Sequence, residues 1–375
     1  MGDIKLFWAQ VMGMGGVFSI VLVVQHYTGI KNKPVQNTAR HAQSGPALGI
    51  LEGLAYGMES TVWKSVILGI IIMASYSLGG GGVEGIYYIA AATMGIKEMK
   101  GIIMAGDAFG PIVDNAAGIS QMAGLEEETR KVGDALDAVG NVTKALAKGF
   151  SMGAATMSSL VILFAYLLEF ARLEGFILSS LDQYVVNIIH PTNAVAIYLG
   201  AAMPYLFSAL TLRAVNEGAF KVIEEIRRQF KIPGILEGKI QPDYAHVVDL
   251  TTSNALKSMI GPTLVTVLVP IIIGFLLGPW PLTAYLLSVT AASATLAGAQ
   301  FNTGGALDNA KKLVEAGALG GKGTETHAAV VIGDTFGDPL KDTAGPSLHI
   351  LVKLQNIMSI TLLPLFIRFG LNLFQ

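Results

Sequence analysis

Long apolar stretches, separated by short polar connections, run along most of this chain. A helix that crosses the roughly 30 Å hydrocarbon layer of a bilayer needs about 20 mainly apolar residues. Eight stretches approach or meet that length: residues 6–25, 63–78, 83–106, 150–170, 185–212, 260–277, 282–299 and 350–371. The pattern predicts an all-α polytopic membrane helix bundle of about eight transmembrane helices, with residues 1–375 forming a single transmembrane domain.

Composition agrees with a membrane protein. Charged residues make up only 14% of the 375 residues, against about 25% in an ordinary soluble domain. The net charge of −2 provides no field that would gather nucleic acid, so a nucleic-acid partner is excluded. The chain has no Cys, which rules out disulfides, thiolate catalysis, zinc–thiolate sites and iron–sulfur clusters. Any metal must therefore bind through oxygen or imidazole ligands.

The distribution of Lys and Arg predicts which side each connection faces, because cytoplasmic loops carry the excess of basic residues. Of the 25 basic residues, only Lys5, Arg172 and Arg368 lie toward one side when the eight stretches alternate. The other side is predicted to be cytoplasmic, and it contains residues 28–60, 107–149, 213–257 and 300–349. We therefore expect a multi-pass protein of the cell membrane whose charged chemistry lies on the cytoplasmic side.

The densest charged segment is Gly333-Asp-Thr-Phe-Gly-Asp-Pro-Leu-Lys-Asp-Thr-Ala-Gly-Pro-Ser347. On a helix, Asp334, Asp338 and Asp342 stand at i, i+4 and i+8 and share one face, with Lys341 beside them. Three neighbouring carboxylates repel each other unless a cation lies between them, and Mg²⁺ prefers oxygen ligands shared with a substrate phosphate. The alternative is a solvated acidic helix start, although charges next to a membrane span seldom lack a function.

Three further charged clusters lie at predicted membrane ends. Asp107 and Asp114 are seven residues apart and fall on one helical face, although Asp107 is equally well explained as a helix cap. A polar stripe of residues at helical spacing leads into the span at 150–170: Asp137, Asn141, Lys144 and Lys148. Snorkelling explains lysines at a membrane end, but the Asn and Asp on the same stripe favour a lined cavity. The last cluster sets Asp308 beside Lys311 and Lys312.

Carboxylates and lysines that converge from four helix ends are typical of a metal-bridged site for a polyanion such as a phosphate compound. The chain lacks the Gly-x-x-x-x-Gly-Lys-Ser/Thr loop, so a P-loop ATPase is not supported. Lys353 lies near the last apolar stretch, where an ionisable group usually marks an ion path, although snorkelling also explains it. A non-enzymatic secondary transporter or channel subunit, which binds a solute through these groups, stays open as a second interpretation.

Four segments resemble the signatures of membrane-bound, ion-translocating pyrophosphatases, in order and in spacing. They are 333–347, quoted above, with Asp107-Ala-Phe-Gly-Pro-Ile-Val-Asp-Asn115, Asp134-Ala-Leu-Asp-Ala-Val-Gly-Asn-Val-Thr-Lys144 and Asn302-Thr-Gly-Gly-Ala-Leu-Asp-Asn-Ala-Lys-Lys312. The resemblance implies hydrolysis of Mg-bound pyrophosphate on the cytoplasmic side, coupled to outward movement of H⁺ or Na⁺, in a homodimer. Mg²⁺ is the expected cofactor.

The resemblance also implies roles for individual residues. Asp342 is expected to orient the attacking water, and Lys353 matches an ion-gate lysine. Lys144 is similar to the lysine of the potassium-independent subclass, which is associated with H⁺ pumping and favours H⁺ over Na⁺. Two sets complete the site: magnesium ligands Asp114, Asp308, Asp334 and Asp338, and diphosphate-binding residues Asn141, Lys148, Lys311 and Lys341.

The similarity covers the second half of the family's fold alone. Family members have about twice as many helices, and their first half supplies further carboxylates, a lysine and two gate residues that nothing in this chain resembles. The chain is therefore interpreted as a C-terminal half: a fragment, a truncated product or one subunit of a split enzyme that needs a separate N-terminal half. We expect little or no hydrolysis from it alone.

Overall fold

The computed structural model describes residues 3–175 and 186–373, and within them all side chains except those of Ala138, Asn141, Val142 and Ala145. This described part consists of helices joined by short connections and contains no strand. The predicted helical membrane bundle is confirmed. The α-helices in chain order are α1 Ile4–Thr28, α2 Lys33–Ala42, α3 Pro46–Leu78, α4 Gly82–Glu98, α5 Lys100–Met122, α6 Glu127–Leu173, α7 Pro191–Phe230, α8 Tyr244–Ser258, α9 Ile260–Leu276, α10 Pro279–Glu315, α11 Glu325–Pro339 and α12 Gly345–Phe369.

Among the described residues, seven segments are long and apolar enough to cross a membrane. Several of them join two consecutive helices, as α11 and α12 do in Glu325–Phe369. The seven are Ile4–Ala42, Pro46–Leu78, Leu146–Leu173, Pro191–Phe230, Tyr244–Leu276, Pro279–Glu315 and Glu325–Phe369. Each contains most or all of one predicted span, and the start of the predicted span 185–212 lies outside the described residues. The chain is a multi-pass membrane protein.

The remaining predicted span, 83–106, is divided between two helices. α4 has 17 residues, which is short for crossing a bilayer unaided, and Met99 separates it from α5, with Lys97 and Lys100 on either side. At one end of the bundle the Tyr88 hydroxyl of α4 donates to Asp3, just before α1. At the other end α5 carries Asp114. Neither α4 nor α5 is among the seven segments that are long and apolar enough to cross a membrane, so the eighth predicted span stays a prediction.

Helix α10 lies at the centre of the bundle and is buried along most of its length. It packs against α3, α6, α7, α11 and α12. Several of its contacts are close approaches between small residues, since a Cβ atom added at Gly304 would lie 2.5 Å from the Gly337 carbonyl oxygen. This central helix carries Asp308 and Lys311 to the end where the other charged clusters lie.

Glycine forms two tight turns between neighbouring helices of the bundle. Gly80, Gly81 and Gly82 have φ between 60° and 82° and link α3 to α4. Gly278, with φ of 93°, links α9 to α10. A left-handed backbone strains residues that carry a Cβ atom, so these glycines permit the short connections that hold the helices side by side.

Candidate functional site

Three carboxylates from two helices meet at the charged end of the bundle. Oxygen atoms of Asp308, Asp334 and Asp338 lie within 4.8 Å of one another. Lys341, only 7% exposed, lies among them, with Nζ 2.7 Å from Asp308 Oδ2, 2.6 Å from Asp338 Oδ1 and 3.6 Å from Asp334 Oδ1. Lys311 forms a short ion pair with Asp334. We call these five side chains the carboxylate–lysine cluster.

The close contact between α10 and α11 brings the cluster together. Because Gly304 and Gly337 carry no side chain, the two backbones approach closely one turn away from the carboxylates. Asp308 follows Gly304 by four residues, and Asp338 follows Gly337 directly. Residues at this spacing lie next to each other on a helix, so the glycine contact places these two carboxylates at the same interface.

Asp342 does not share the face of Asp334 and Asp338, contrary to the helical spacing predicted from sequence. Residues Leu340–Ala344 form a π-helical turn directly after Pro339. A π turn accommodates an extra residue per turn, and proline removes a backbone donor and disturbs regular helical hydrogen bonding. The Asp342 carboxylate, with a side chain that is 49% exposed, therefore turns toward α6 and forms a short ion pair with Lys148.

Helix α6 presents the predicted polar stripe to three different helices. Lys144 Nζ lies 2.8 Å from Asp114 Oδ2 on α5, and Lys148 contacts Asp342. Asp137 Oδ2 lies 3.0 Å from Lys312 Nζ on α10. Lys144 and Lys148 also line a cavity, and Lys148 and Asp137 connect α6 to the region of the carboxylate–lysine cluster. The side chain of Asn141, also predicted on this stripe, lies outside the described residues.

Two carboxyl groups of α5 have different surroundings. Asp114 is 56% exposed at its side chain and pairs with Lys144; it is outside the three-carboxylate group. Burial raises the pKa of Asp107, while the nearby Lys148 and Lys144 lower it and Asp342 raises it further. Asp107 is not a cap, because α5 begins at Lys100 and continues past it. Its charge faces the same group of lysines and aspartates instead.

A small cavity lies beside the cluster. Its polar lining includes Lys144, Lys148, Lys341, Asp308 and Asn302. Both side-chain polar atoms of Asn302 are buried without a hydrogen-bond partner, and buried polar groups normally have one. Sequence reasoning missed Asn302, although it begins one of the quoted motifs. The cavity combines three ammonium groups with an unsatisfied amide, which suits an anionic oxygen-rich ligand.

The donor atoms of the cluster fit a hard divalent cation. All three converging groups are carboxylates, and Asp334 Oδ1 is buried with no hydrogen-bond partner. Mg²⁺ takes oxygen ligands, usually one or two carboxylates together with waters and substrate phosphates. A soft metal has no thiolate to bind because the chain contains no Cys. Asp308, Asp334 and Asp338 are therefore the residues that would hold Mg²⁺.

Two lysines lie further into the bundle. Lys353 on α12 is partly buried and lies 11 residues beyond Asp342. Lys64 on α3 is 2% exposed, and its Nζ donates to the Gly298 carbonyl oxygen at 3.1 Å. Lys64 is the second residue of the predicted span 63–78, and its burial was not predicted from the sequence. Gly298 leaves space for the Lys64 ammonium, but nothing in the sequence indicates that Gly298 lies opposite Lys64.

Comparison with known proteins gives consistent matches over nearly the whole chain. A family described as Inorganic H+ pyrophosphatase matches residues 1–362. A K(+)-insensitive pyrophosphate-energized proton pump of Methanosarcina mazei is 42% identical over 99% of this chain and 54% of its own length. A protein with the same name from Caldanaerobacter subterraneus subsp. tengcongensis is 43% identical over 96% of this chain and 51% of its own length.

A relative named after a different pumped ion, Na⁺, is about as similar. A protein of Clostridium tetani, provisionally named a K(+)-stimulated pyrophosphate-energized sodium pump, is 41% identical over 98% of this chain and 54% of its own length. The chain thus spans about half the length of the curated relatives it matches. The match of the family to almost every residue, together with these identities, shows that the chain belongs to the inorganic H⁺ pyrophosphatase family of membrane-bound, pyrophosphate-energized ion pumps.

Proposed function

We propose that this chain carries the Mg²⁺- and diphosphate-binding helices of a membrane pump that hydrolyses pyrophosphate and moves H⁺ outward. The observation that carries the proposal is the carboxylate–lysine cluster beside a cavity lined by three lysines. Membership of a family whose curated relatives are named pyrophosphate-energized pumps supports the substrate. The excess of basic residues on the cluster side supports a cytoplasmic site.

Three lysines are proposed to bind the diphosphate. Lys341 and Lys148 line the cavity, and Lys311, which is not part of its lining, forms an ion pair with Asp334. An ammonium is a compact point charge that binds phosphate oxygens without a fixed orientation. These three lysines, with Asn141, are the proposed diphosphate ligands. They stabilise the negative charge that builds up on the phosphates as the bridging P–O bond breaks.

Asp342 is the proposed group that orients the attacking water. Its carboxylate is half-exposed and forms an ion pair with Lys148, which lines the cavity. Water attacks one phosphorus atom, the bridging oxygen leaves with the second phosphate, and the carboxylate accepts a proton from the water. Mg²⁺ bound by Asp308, Asp334, Asp338 and the more distant Asp114 would neutralise phosphate charge.

The ion pair of Lys144 with Asp114 supports a potassium-independent pump. An ammonium at this position supplies the positive charge that a bound K⁺ would supply elsewhere, and it lies on the wall of the same cavity. Potassium-independent relatives in the comparison are named proton pumps, whereas the potassium-stimulated relative is named a sodium pump. H⁺ is therefore proposed as the transported ion, with Na⁺ as the alternative, and Lys353 as the gate lysine.

The chain spans about half the length of the curated relatives it matches. This supports a pump in which a second polypeptide segment supplies the other part of the site. The side chains of Asp338 and Asp342 are half-exposed in this chain, so one side of the proposed site is open. We propose that this chain corresponds to the C-terminal half of such a pump and that an N-terminal half completes the site. Assembly of the complete protein as a homodimer stays a prediction from the family resemblance.

Phosphate release from pyrophosphate tests the proposal directly. Membranes that contain this chain alone are expected to release little phosphate, and membranes that also contain a separately encoded first half are expected to release it in a Mg²⁺-dependent manner. Asp338→Asn in the complete system is expected to abolish release. Absence of release under both conditions would overturn the enzymatic proposal.

The same assay tests the potassium assignment. Lys144→Ala in the active system is expected to make phosphate release depend on K⁺, because the tethered ammonium is gone. Lys131→Ala is the matched control, since Lys131 lies on the same helix and pairs with Glu127 in solvent. Release by Lys144→Ala that is insensitive to K⁺ would overturn the assignment.

A further inference from the structure

Asn302 differs from every other polar residue in the lining of the small cavity beside the carboxylate–lysine cluster. It is only 1% exposed, and neither Oδ1 nor Nδ2 has a hydrogen-bond partner among the described residues. The other polar lining residues each form a hydrogen bond or an ion pair: Thr28, Lys144, Lys148, Asp308, Asn309 and Lys341. Because buried polar groups normally have a partner, the free amide indicates a ligand in the cavity.

One face of α10 connects Asn302 to the proposed metal site. Asn302, Gly305 and Asp308 follow one another at intervals of three residues, and all three line the cavity, as neighbours on one helical face do. Six residues of helix correspond to about 9 Å. The amide therefore lies about one and a half helical turns from Asp308, on the side toward the middle of the bundle.

Helix α6 contributes two lysines to the same cavity. Lys144 and Lys148 are one turn apart, and each ammonium pairs with a single carboxylate among the described residues. An ammonium has three donors, so both lysines retain donors for a ligand. Together with Lys341 and the Nδ2 group of Asn302, the cavity contains three ammonium groups and one amide that can all donate to a common acceptor.

A phosphoryl group suits this set of donors. Its oxygen atoms are strong acceptors, and they point in different directions, so donors from several helices can bind the same group. A metal ion suits the set poorly, because the three ammonium groups repel it and it would leave Nδ2 unpaired. Water can also pair with an amide, and it is the alternative that an experiment has to exclude.

We propose that Asn302 is a further diphosphate-binding residue, whose Nδ2 group donates to an oxygen of the phosphoryl group that lies deepest in the cavity. The inference rests on the proposed function, because it adds a ligand to the proposed diphosphate site. Asn302 Oδ1 accepts from the ammonium of Lys144 or Lys148, so that both amide atoms become paired. The amide is neutral and therefore binds the phosphoryl oxygen without attracting the carboxylates that surround the lysines.

Isothermal titration calorimetry on the full chain in nanodiscs tests the inference without any need for hydrolysis. The probe is imidodiphosphate with Mg²⁺, a diphosphate analogue whose bridging nitrogen resists cleavage. Asn302→Ala is expected to weaken its binding by about tenfold, because one hydrogen bond to a charged oxygen is lost. Asn302→Asp keeps the shape but replaces the donor by a negative charge, so it is expected to weaken binding by about 100-fold.

Thr303→Ala is the matched control. Thr303 is the next residue on α10, is fully buried, and has an Oγ1 atom without a partner. Its hydroxyl faces α3, where a Cβ atom added at Gly57 would lie 2.0 Å from it, and it does not line the cavity. The control is expected to bind imidodiphosphate as the wild type does. Thermal unfolding without ligand should give similar temperatures for Thr303→Ala and Asn302→Ala, because neither group has a hydrogen bond to lose.

Solid-state NMR measures the contact itself. Dipolar coupling between ¹⁵N-labelled asparagine side chains and the ³¹P nuclei of bound imidodiphosphate is recorded at saturating ligand. The wild type is expected to show an N–P distance of about 4 Å, which a hydrogen bond from Nδ2 to a phosphoryl oxygen produces. Asn302→Ala should remove this signal.

The outcomes separate this inference from the proposed function. Unchanged affinity in both Asn302 variants, or a wild type without the N–P contact that Asn302→Ala removes, overturns the inference and leaves the amide as a water ligand. An equal loss of affinity in Thr303→Ala also overturns it, because the effect then comes from packing of α10. A wild-type chain that binds no imidodiphosphate overturns the proposed diphosphate site, and this inference with it.

Discussion

Two regions hold the charged residues of the candidate site, and they are built differently. The α10–α11–α12 region packs its carboxylate–lysine cluster around a central buried helix, with Lys341 only 7% exposed. The α5–α6 region carries charges of the same types, but Asp114 is 56% exposed and most of α5 faces away from the bundle. The same residue types therefore form a closed, crowded cluster in one region and an open ion pair in the other.

The difference shows which part of the site this chain completes by itself. In the buried region, removal of any one charge leaves its neighbours uncompensated at low dielectric, which is costly. In the open region, water compensates and an ion pair contributes little. The two regions meet through Lys148 with Asp342 and through Lys312 with Asp137. These two ion pairs connect the exposed α5–α6 region to the buried α10–α11–α12 region.

The largest expected effect comes from removing the central ammonium. Lys341→Met leaves three converging carboxylates without their shared partner, so the free energy of unfolding without metal should fall by about 3 kcal/mol or more. Mg²⁺ should restore part of this loss by occupying the same position. Thermal unfolding of the purified chain in detergent, with and without Mg²⁺, measures both effects.

Lys144→Met is the matched variant in the open region. It breaks one ion pair with a half-exposed partner and should cost less than about 1 kcal/mol. Equal losses for the two lysines would contradict the distinction between the regions.

A second comparison tests packing without changing charge. Gly304→Ala places a Cβ atom 2.5 Å from the Gly337 carbonyl oxygen and 2.7 Å from Lys341 Cβ, so it should push α10 and α11 apart and cost about 2 kcal/mol. Gly118→Ala on α5 meets nothing within 4 Å and should stabilise the helix by up to about 1 kcal/mol. Chemical unfolding monitored by circular dichroism distinguishes the two. A neutral Gly304→Ala would show that the close helix contact does not form.

A double-mutant cycle on Lys312→Met and Asp137→Asn measures the connection between the regions. These groups lie 3.0 Å apart and are both largely buried, so a coupling energy of about 1 kcal/mol is expected. The cycle uses the same unfolding measurement as above. A coupling energy of zero would mean that α6 is held against α10 by apolar packing alone.

The smallest expected effect concerns the ionisation of Asp107. Burial raises its pKa above the ordinary 3.8, so the folded protein binds this proton more tightly than the unfolded chain does, and stability falls as pH rises through the folded pKa. Asp107→Asn removes that loss. At neutral pH the free energy of unfolding of Asp107→Asn should exceed that of the wild type by less than about 1 kcal/mol, because the group is in contact with water. This difference should vanish below about pH 4, where the wild-type carboxyl is protonated in both states. A difference that does not change with pH would contradict the burial of this carboxylate.

The sequence predicted the helices and the charged ends well, because both depend on local patterns. Apolar length identifies a span without any tertiary information. Helical spacing correctly placed Asp334 and Asp338 on one face and put Lys144 and Lys148 on one cavity wall. The division of the predicted span 83–106 at Met99 was not foreseen, since its lysines are compatible with one long helix or with two.

What the sequence did not reveal depends on contacts between distant helices. The π turn at Leu340–Ala344 moves Asp342 off the predicted face, and period-based reasoning assumes regular helix. The burial of Lys64 requires Gly298, more than 200 residues away, to lie opposite. The unsatisfied atoms of Asn302, Ser159 and Ser293 emerge only when neighbouring side chains are in place, because each residue alone is an ordinary polar position in a helix.

Metal binding by the buried region tests the central claim most directly. Mn²⁺, as a paramagnetic substitute for Mg²⁺, is titrated into the full chain in detergent or nanodiscs and followed by electron paramagnetic resonance. The carboxylate–lysine cluster predicts a site that Mg²⁺ competes for and that Asp334→Asn weakens by about tenfold or more, about 1.4 kcal/mol. Glu127→Gln, at an exposed ion pair, should leave the site unchanged. Equal Mn²⁺ binding by wild type and Asp334→Asn would contradict the assignment of these carboxylates as the metal site.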